Sequence, residues 1–257
     1  MSRVALVTGA ARGIGAATVR ALVEDGWQVV ALDRCSDDPR LPYALGTREQ
    51  LGALRGDAVR TVVADACDGA ALAGAVALAE EAFGGLDAAV AVAGVVAGGV
   101  PLWEQDEDAV DAVLQVDLVA VLTLARVAVP ALLRRPAPRS GRFLAVGSAA
   151  AVRGLPLLAA YCAAKAGVTG LVRALAVELG GTGVTANAVN PGSTDTDVLT
   201  ESARLYGLAG SDDFAAQQPL GRLLDPAEVA AALVWLAGAG SGAITGAVVP
   251  VDGGLAL

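Results

Sequence analysis

The amino-terminal segment reads as a buried strand, a glycine-rich loop, a helix and a second buried strand. Residues 3–8 are too uniformly apolar for a half-exposed strand and predict a central parallel strand. The loop Thr8-Gly9-Ala10-Ala11-Arg12-Gly13-Ile14-Gly15 follows directly. Its glycines allow a tight turn, and a helix beginning near Gly13 directs free amides and its positive dipole end at a bound pyrophosphate. The pattern predicts a dinucleotide-binding βαβ unit.

The second strand, residues 27–32, ends at Asp33. An acid at this point is placed to accept the ribose hydroxyls of a dinucleotide and to repel a 2′-phosphate, which predicts NAD rather than NADP. Arg12 and Arg34 are the counter-evidence, since either could pair with that phosphate. A purely structural interpretation makes Asp33 a turn cap.

Lys165 is the only lysine of the chain, and it follows Tyr161 by four residues. On a helix this spacing places an ammonium and a phenol on one face. At about 4 Å and an effective dielectric of about 20, their attraction is roughly 4 kcal/mol, or about three pKa units before desolvation. The spacing predicts that Tyr161 exchanges a proton near neutral pH; the alternative is an ordinary solvated helix face.

These motifs, with Asp65, Ser148, Asn190-Pro191-Gly192 and Val251-Asp252-Gly253-Gly254, make the whole chain resemble a short-chain dehydrogenase/reductase. The resemblance implies that Ser148 binds the substrate oxygen, that Tyr161 is the general acid or base, and that Lys165 binds the nicotinamide ribose. It places the adenine at Asp65 and the carboxamide at Thr194 and Thr196. The expected cofactor-binding residues are Gly9, Arg12, Gly13, Ile14, Gly15, Asp33, Asp65, Ala93, Gly94, Tyr161, Lys165, Pro191, Gly192, Thr194 and Thr196.

Two positions depart from the family pattern. Ala91-Val92-Ala93-Gly94 stands where the family usually has Asn-Asn-Ala-Gly, and Asp117 stands where an asparagine usually completes the catalytic tetrad. A carboxylate near Lys165 offsets its charge and raises the pKa of Tyr161 again. We therefore expect an active enzyme with an alkaline optimum, in which Asp117 belongs to the catalytic group.

The expected fold is α/β, a single domain over residues 1–257 with a doubly wound (Rossmann) parallel seven-stranded sheet and helices on both faces. Its strands are expected at 3–8, 27–32, 59–64, 86–93, 141–147, 183–189 and 247–251. No internal repeat or linker divides the chain.

Composition restricts the function classes. A net charge of −9 argues against nucleic acid, whose phosphates require a basic face. With no histidine and three cysteines at no metal-ligand spacing, we expect no metal site and a reducing, cytoplasmic location. The longest uncharged stretch, residues 88–103, is too short for a bilayer span and carries glycines and a proline, so no membrane association is expected.

Two predicted helices, residues 108–134 and 161–179, are apolar through much of their circumference and must be covered by something. In the resembled family these helices form a dimer interface within a tetramer, so a homotetramer is expected. The alternative sandwiches both helices inside one monomer.

The resemblance implies an NAD-dependent oxidoreductase that moves a hydride between nicotinamide and a small apolar secondary alcohol or ketone. Leu155, Leu157 and Leu158, with a flap over 198–214, predict an apolar pocket. One alternative is an NADPH-dependent 3-oxoacyl thioester reductase. Another, of a different class, is a non-catalytic dinucleotide-sensing subunit.

The connection from Arg34 to Ala58 is longer than this family usually has, and residues 37–47 look inserted. Leu41, Tyr43 and Leu45 give the insertion an apolar side that can fold back over the adenosine half of the cofactor; a solvated loop is the alternative. The insertion resembles the mycofactocin-associated subgroup, in which such a loop buries NAD and electrons leave through a separate carrier. That resemblance implies non-exchanging NAD and mycofactocin as a partner.

Overall fold

The computed structural model describes residues 2–257 and contains a seven-stranded sheet in the order β3-β2-β1-β4-β5-β6-β7. Every neighbouring pair of strands is parallel, which confirms the predicted doubly wound sheet. The strands are β1 Val4–Thr8, β2 Gln28–Asp33, β3 Val59–Val63, β4 Ala88–Ala91, β5 Arg142–Val146, β6 Thr185–Pro191 and β7 Val248–Val251.

Two predicted strand boundaries were wrong. The strand expected at 86–93 is only Ala88–Ala91, because the amides of Val92 and Ala93 donate to the Thr8 hydroxyl instead of to a neighbouring strand. The strand expected at 183–189 runs over Thr185–Pro191, because its last residues pair with β7.

Helices cover both faces of the sheet. They are α1 Gly13–Glu24, α2 Arg48–Gly52, α3 Gly69–Phe83, α4 Glu107–Leu114, α5 Ala120–Arg134, α6 Ala159–Glu178, α7 Asp197–Leu205 and α8 Pro226–Ala237. Helices α1 and α8 pack on one face through Leu22 and Leu233, and α3, α5 and α6 pack on the other through Leu72, Leu124 and Val168. The strands between these layers are buried, as their continuous apolar runs require.

The segment predicted as one helix over 108–134 contains a π-helical turn, Gln115–Val119, between α4 and α5. This turn contains Asp117, whose side chain is fully buried. Single π-turns inside α-helices frequently occur at functional sites, and this one adjoins the site described below.

Two helical segments, Glu107–Arg134 and Ala159–Glu178, are long and apolar enough to cross a membrane by length and composition alone. In this fold they pack on the sheet, and 44% and 33% of the most apolar 18-residue stretch of each segment is buried. The remaining apolar surface includes Val177, which is 82% exposed. That these faces pack against other copies of the chain stays a prediction.

Candidate active site

One cavity of about 650 Å³ lies at the carboxyl ends of β1 and β4. The strand order reverses between these two strands, the position where open α/β sheets bind their ligands. Every residue that the sequence assigned to catalysis or cofactor binding lines this cavity. The fold thus brings together residues from Gly9 to Thr196 that are far apart in the chain.

Two glycines of the first loop are sterically required. Gly9 has φ +65°, and a Cβ on it would lie 2.6 Å from Ala93 Cα in the loop after β4. A Cβ on Gly15 would overlap the carbonyl oxygen of Gly9. The first turn of α1 therefore presents bare backbone to the cavity, as pyrophosphate binding at a helix N-terminus requires.

Asp33 acts as a structural cap and also faces the cavity. Its carboxylate accepts hydrogen bonds from the amides of Ala11, at 3.0 Å, and Cys35, at 2.9 Å. A carboxylate has about four lone-pair sites, so acceptor capacity remains for ribose hydroxyls. The two interpretations of Asp33 from the sequence are therefore compatible.

The two arginines near Asp33 are occupied by protein partners. Arg12 lies 3.2 Å from Asp197 and donates to the Ala44 carbonyl at 2.9 Å. Arg34 donates to Asp38 at 2.8 Å and lies 3.8 Å from Asp65. The Asp65 carboxylate also accepts a hydrogen bond from the Cys67 amide. Since both guanidinium groups already have carboxylate partners, their positive charge is partly neutralised, which disfavours a 2′-phosphate beside Asp33.

Ser148 and Tyr161 line the same cavity. Ser148 begins a short 3₁₀ helix after β5; its amide donates to Asn190 at 3.2 Å, and its hydroxyl accepts from the Ala150 amide at 3.1 Å. Tyr161 and Lys165 lie one turn apart on α6, with Nζ 5.6 Å from the centre of the tyrosine ring. The predicted shared helix face is confirmed.

Asp117 forms an ion pair with Lys165. Their Oδ1 and Nζ atoms are 2.8 Å apart, although the pair lacks hydrogen-bond alignment, so the attraction is mainly coulombic. Lys165 also donates to the Val146 carbonyl at 3.3 Å, and the second Asp117 oxygen accepts from the Val95 amide at 3.4 Å. Both charged side chains are almost completely buried.

The electrostatics of the three groups follow from this geometry. Burial raises the pKa of Tyr161, Lys165 and a Ser148 hydrogen bond oppose that shift, and Asp117 adds to it. Burial alone would lower the pKa of Lys165, but Asp117 and Tyr161 outweigh it and the pKa is raised. In this arrangement burial outweighs Lys165 and leaves the pKa of Tyr161 above its usual value, and the alkaline optimum expected from Asp117 stays a prediction.

The loop after β4 keeps its shape without the two asparagines of the family pattern. The Thr8 hydroxyl accepts from Val92 and Ala93, and Asp117 accepts from Val95. Gly94 lies between these anchors, where a Cβ would be 2.8 Å from Asp117 Oδ1 and 3.4 Å from Lys165 Nζ. Gly94 thus provides the space for the ion pair.

Pro191 ends β6, and the next residues form the wall expected at the nicotinamide. A Cβ on Gly192 would lie 2.6 Å from the Asp252 carbonyl oxygen. Thr194 donates to the Gly192 carbonyl, and Thr196 caps α7 through the Leu199 amide. Thr194 and Thr196 are thereby fixed at the cavity edge, with Thr196 next to Gly13 of the first loop.

The substrate end of the cavity is mainly apolar and is covered by the predicted flap. The flap contains α7 and a 3₁₀ helix, Ser211–Gln217, joined through the edge-to-face pair of Tyr206 and Phe214. The Tyr206 hydroxyl donates to the Pro156 carbonyl at 2.7 Å and so closes the flap against the loop after Ser148. The apolar lining residues are Leu155, Leu158, Val198, Leu199, Phe214 and Leu255.

The inserted loop folds back onto the domain as expected. Leu41 is buried in a cluster with Val95 and Ala160, and the Tyr43 hydroxyl accepts from the Val96 amide at 2.9 Å. Leu45 and Gly46 line the cavity, with Gly46 so close to Ala11 that a Cβ would contact its side chain at 2.8 Å. The solvated alternative is wrong, because the loop contributes to the core.

Asp38 is an anchor whose importance the sequence analysis missed. Its side chain is 2% exposed and accepts from Arg34 and, through two atoms, from Arg40. The Arg40 hydrogen bonds hold the pKa of Asp38 far below its usual range. The flanking arginines were a visible signal, but only the fold shows that the carboxylate between them is buried.

These features define a dinucleotide-binding oxidoreductase. The bare first loop, Asp33 and the continuous cavity fit NAD, for which Asp33 would hold the ribose and Lys165 the nicotinamide end. No cluster of potential metal ligands occurs within residues 2–257.

Comparisons with known proteins agree with this class. A family model described as enoyl-(acyl carrier protein) reductase matches residues 9–256. An uncharacterised NAD-dependent oxidoreductase of Mycobacterium tuberculosis is 35% identical over 98% of this chain and 95% of its own length. A cis-4-hydroxycyclohexanecarboxylate dehydrogenase of Sinomonas cyclohexanicum is 38% identical over 98% and 96%.

Among solved structures, carveol dehydrogenase from Mycobacterium avium in complex with NAD superposes with a TM-score of 0.92 at 31% identity, covering 98% of this chain and 97% of its own. The chain belongs to the short-chain dehydrogenase/reductase family. It is an NAD-dependent oxidoreductase.

Proposed function

We propose that this enzyme oxidises a small, largely apolar secondary alcohol to a ketone with an NAD that stays bound between turnovers. In this proposal mycofactocin carries the electrons away. The observation that supports retained NAD is the inserted loop, which lies across the adenosine end of the cavity.

Three kinds of contact hold that loop. Asp38 is buried between two guanidinium groups, Leu41 belongs to an apolar cluster, and the Tyr43 hydroxyl accepts from the Val96 amide. Arg12 connects the loop to the flap, through Ala44 on one side and Asp197 on the other. Since release of NAD would require several of these contacts to break, slow exchange is expected.

The chain supplies the proton chemistry and the positioning. The Ser148 hydroxyl donates a hydrogen bond to the substrate oxygen, and the phenolate of Tyr161 accepts the alcohol proton. Lys165 stabilises that phenolate, and the apolar residues around Ser148 exclude water. The nicotinamide, when bound, supplies the hydride acceptor.

The apolar compartment supports a hydrophobic alcohol as substrate. Leu155, Leu158 and Phe214 form part of the wall at this end, beside the polar side chains of Ser202 and Gln217. One relative is named for a hydroxycyclohexanecarboxylate and one structural neighbour for carveol, which supports a ring-sized alcohol here.

The test begins with purified protein dialysed against buffer without NAD. We expect NAD to remain bound, one round of reduction by substrate, and little steady-state turnover with free NAD until an artificial electron acceptor is added. Asp38→Asn should accelerate NAD loss, because it removes the charge that anchors both arginines, while Asp57→Asn, at an exposed carboxylate with no ion pair among residues 2–257, should not. Deleting residues 38–45 should restore exchange as well.

Ready multiple turnover by the intact protein with added NAD alone would contradict retained NAD. It would leave an ordinary NAD-dependent dehydrogenase. Equal NAD release from Asp38→Asn and Asp57→Asn would show that the arginine cluster does not control exchange.

Two alternatives have less support. A 3-oxoacyl thioester reductase is supported by a 3-oxoacyl-[acyl-carrier-protein] reductase of Vibrio cholerae that is 31% identical over 98% of this chain, but the 2′-phosphate of NADPH would have to compete with the carboxylate partners of Arg12 or Arg34. A sensing subunit would not need the ordered Ser148, Tyr161 and Lys165. Assembly as a homotetramer and a cytoplasmic location remain part of the proposal; sedimentation and fractionation test them.

A further inference from the structure

The cavity contains four cationic side chains, of which three have acidic partners among residues 2–257. Arg12 pairs with Asp197, Arg34 with Asp38 and Asp65, and Lys165 with Asp117. The fourth, Arg153, has no carboxylate within ion-pairing distance in that part of the chain. Arg153 is exposed and lines the cavity, so its guanidinium is accessible to an anionic ligand there.

Arg153 is held close to the reacting end of the site. Its amide donates to the Ala149 carbonyl, in the 3₁₀ helix that Ser148 begins, so its backbone has a fixed relation to Ser148. Its Nη1 donates to the Leu255 carbonyl at 2.7 Å, which holds the guanidinium at the cavity wall. Nε and Nη2 make no hydrogen bond within residues 2–257, and a guanidinium offers five donors in a planar fork.

The surroundings determine what such a cation can recognise. The cavity that Ser148 and Arg153 line is also lined by the apolar side chains of Leu155 and Leu255. A substrate that fits would carry a hydroxyl at one end, an apolar body, and an anion at the other end. Carboxylates match the guanidinium fork in two-point geometry.

We propose that Arg153 is a specificity-determining residue that binds a carboxylate on the substrate, so that the substrate class is a compact hydrophobic hydroxy acid. This rests on the proposed function, which it makes more specific. Because one cavity of about 650 Å³ must hold both cofactor and substrate, a compact acid fits it better than a long acyl thioester.

Binding is measured first, since it does not depend on turnover. Calorimetric titration of the NADH-loaded protein compares cyclohexanecarboxylate, an unreactive acid, with cyclohexanecarboxamide, its neutral counterpart. We expect the acid to bind more tightly, and Arg153→Gln to weaken the acid by about tenfold or more while leaving the amide unchanged. Arg153→Lys should recover part of the loss, and Arg20→Gln, at an exposed arginine of α1, should change neither.

Turnover is measured second, in the presence of the artificial electron acceptor, with cis-4-hydroxycyclohexanecarboxylate, cis-4-methylcyclohexanol and a 3-hydroxyacyl pantetheine phosphate as substrates. Arg153→Gln should raise KM for the hydroxy acid by about tenfold or more with little change in kcat, and should leave the neutral alcohol unaffected. A structural role through Leu255 would instead weaken both substrates equally.

The outcomes separate the two proposals. Equal binding of acid and amide, or equal losses for both in Arg153→Gln, overturns the role of Arg153 and leaves the alcohol dehydrogenase proposal in place. Arg153-dependent binding of the acid without oxidation of any alcohol supports the anion site and overturns the proposed function. Preference for the pantetheine phosphate overturns the hydroxy acid as the substrate class.

Discussion

Replacing Asp117 with asparagine should move the pH dependence of alcohol oxidation toward acid. The Asp117 carboxylate raises the pKa of Tyr161 and weakens the effect of Lys165 on it. Asparagine has nearly the same shape and still offers an oxygen to the Val95 amide, which removes the charge while retaining that contact. The deprotonated tyrosine is the base in oxidation, so a lower pKa makes the active form available at lower pH.

The structure gives the size of the shift. Nζ of Lys165 is 2.8 Å from Asp117 Oδ1 and 5.6 Å from the centre of the Tyr161 ring. The carboxylate is therefore at most about 8 Å from that ring centre, where two unit charges interact by about 2 kcal/mol at an effective dielectric of about 20. Such an interaction is worth about 1.5 pKa units.

The assay is the pH profile of kcat/KM for oxidation, with an artificial electron acceptor present so that NAD exchange does not limit the rate. The rising limb reports the apparent pKa of the coupled group of Tyr161, Lys165 and Asp117. We expect it to lie about one to two units lower in Asp117→Asn. Asp111→Asn is the matched control, because Asp111 is an exposed carboxylate on the preceding helical turns.

Both proteins must first show unchanged NAD content and melting behaviour, since removing one member of a buried ion pair can destabilise the fold. With those equal, an unchanged rising limb, or one displaced to higher pH, would refute the argument. Either result would mean that the carboxylate does not act on Tyr161 through its charge.

Three further outcomes follow from the site. Tyr161→Phe should retain fold and bound NAD but lose about 10²-fold or more of kcat, and retention of more than about a tenth of wild-type kcat would contradict its role as the acid-base group. Protein stripped of nucleotide should bind NAD more tightly than NADP in calorimetric titration, because Arg12 and Arg34 are already paired; the reverse order would show that one of them is recruited by the 2′-phosphate. Gly94→Ala should depress activity strongly, since its Cβ would meet Asp117 Oδ1 at 2.8 Å, whereas Gly74→Ala on α3, with open space around it, should be neutral.

Local sequence determined the parallel sheet and most of the site. Residues 3–33 already specify a strand, a bare loop and a helix N-terminus, because uniformly apolar strands must be buried on both faces and the glycines remove the side chains that would block a ligand. The four-residue spacing of Tyr161 and Lys165 fixed their shared face, because helical geometry depends only on the residues between them.

Tertiary structure decided which charged side chains meet in the site and which side chains are buried there. Whether Asp117 reaches Lys165 depends on a π-turn that brings two distant helices together, and the pKa of Tyr161 depends on burial, which no local pattern specifies. Arg153 carried no signal in the sequence, because an unpaired cation can be recognised only when every carboxylate around it has been placed. The same holds for Asp38, whose neighbours in sequence were visible but whose burial depends on how the inserted loop that contains it folds back onto the domain.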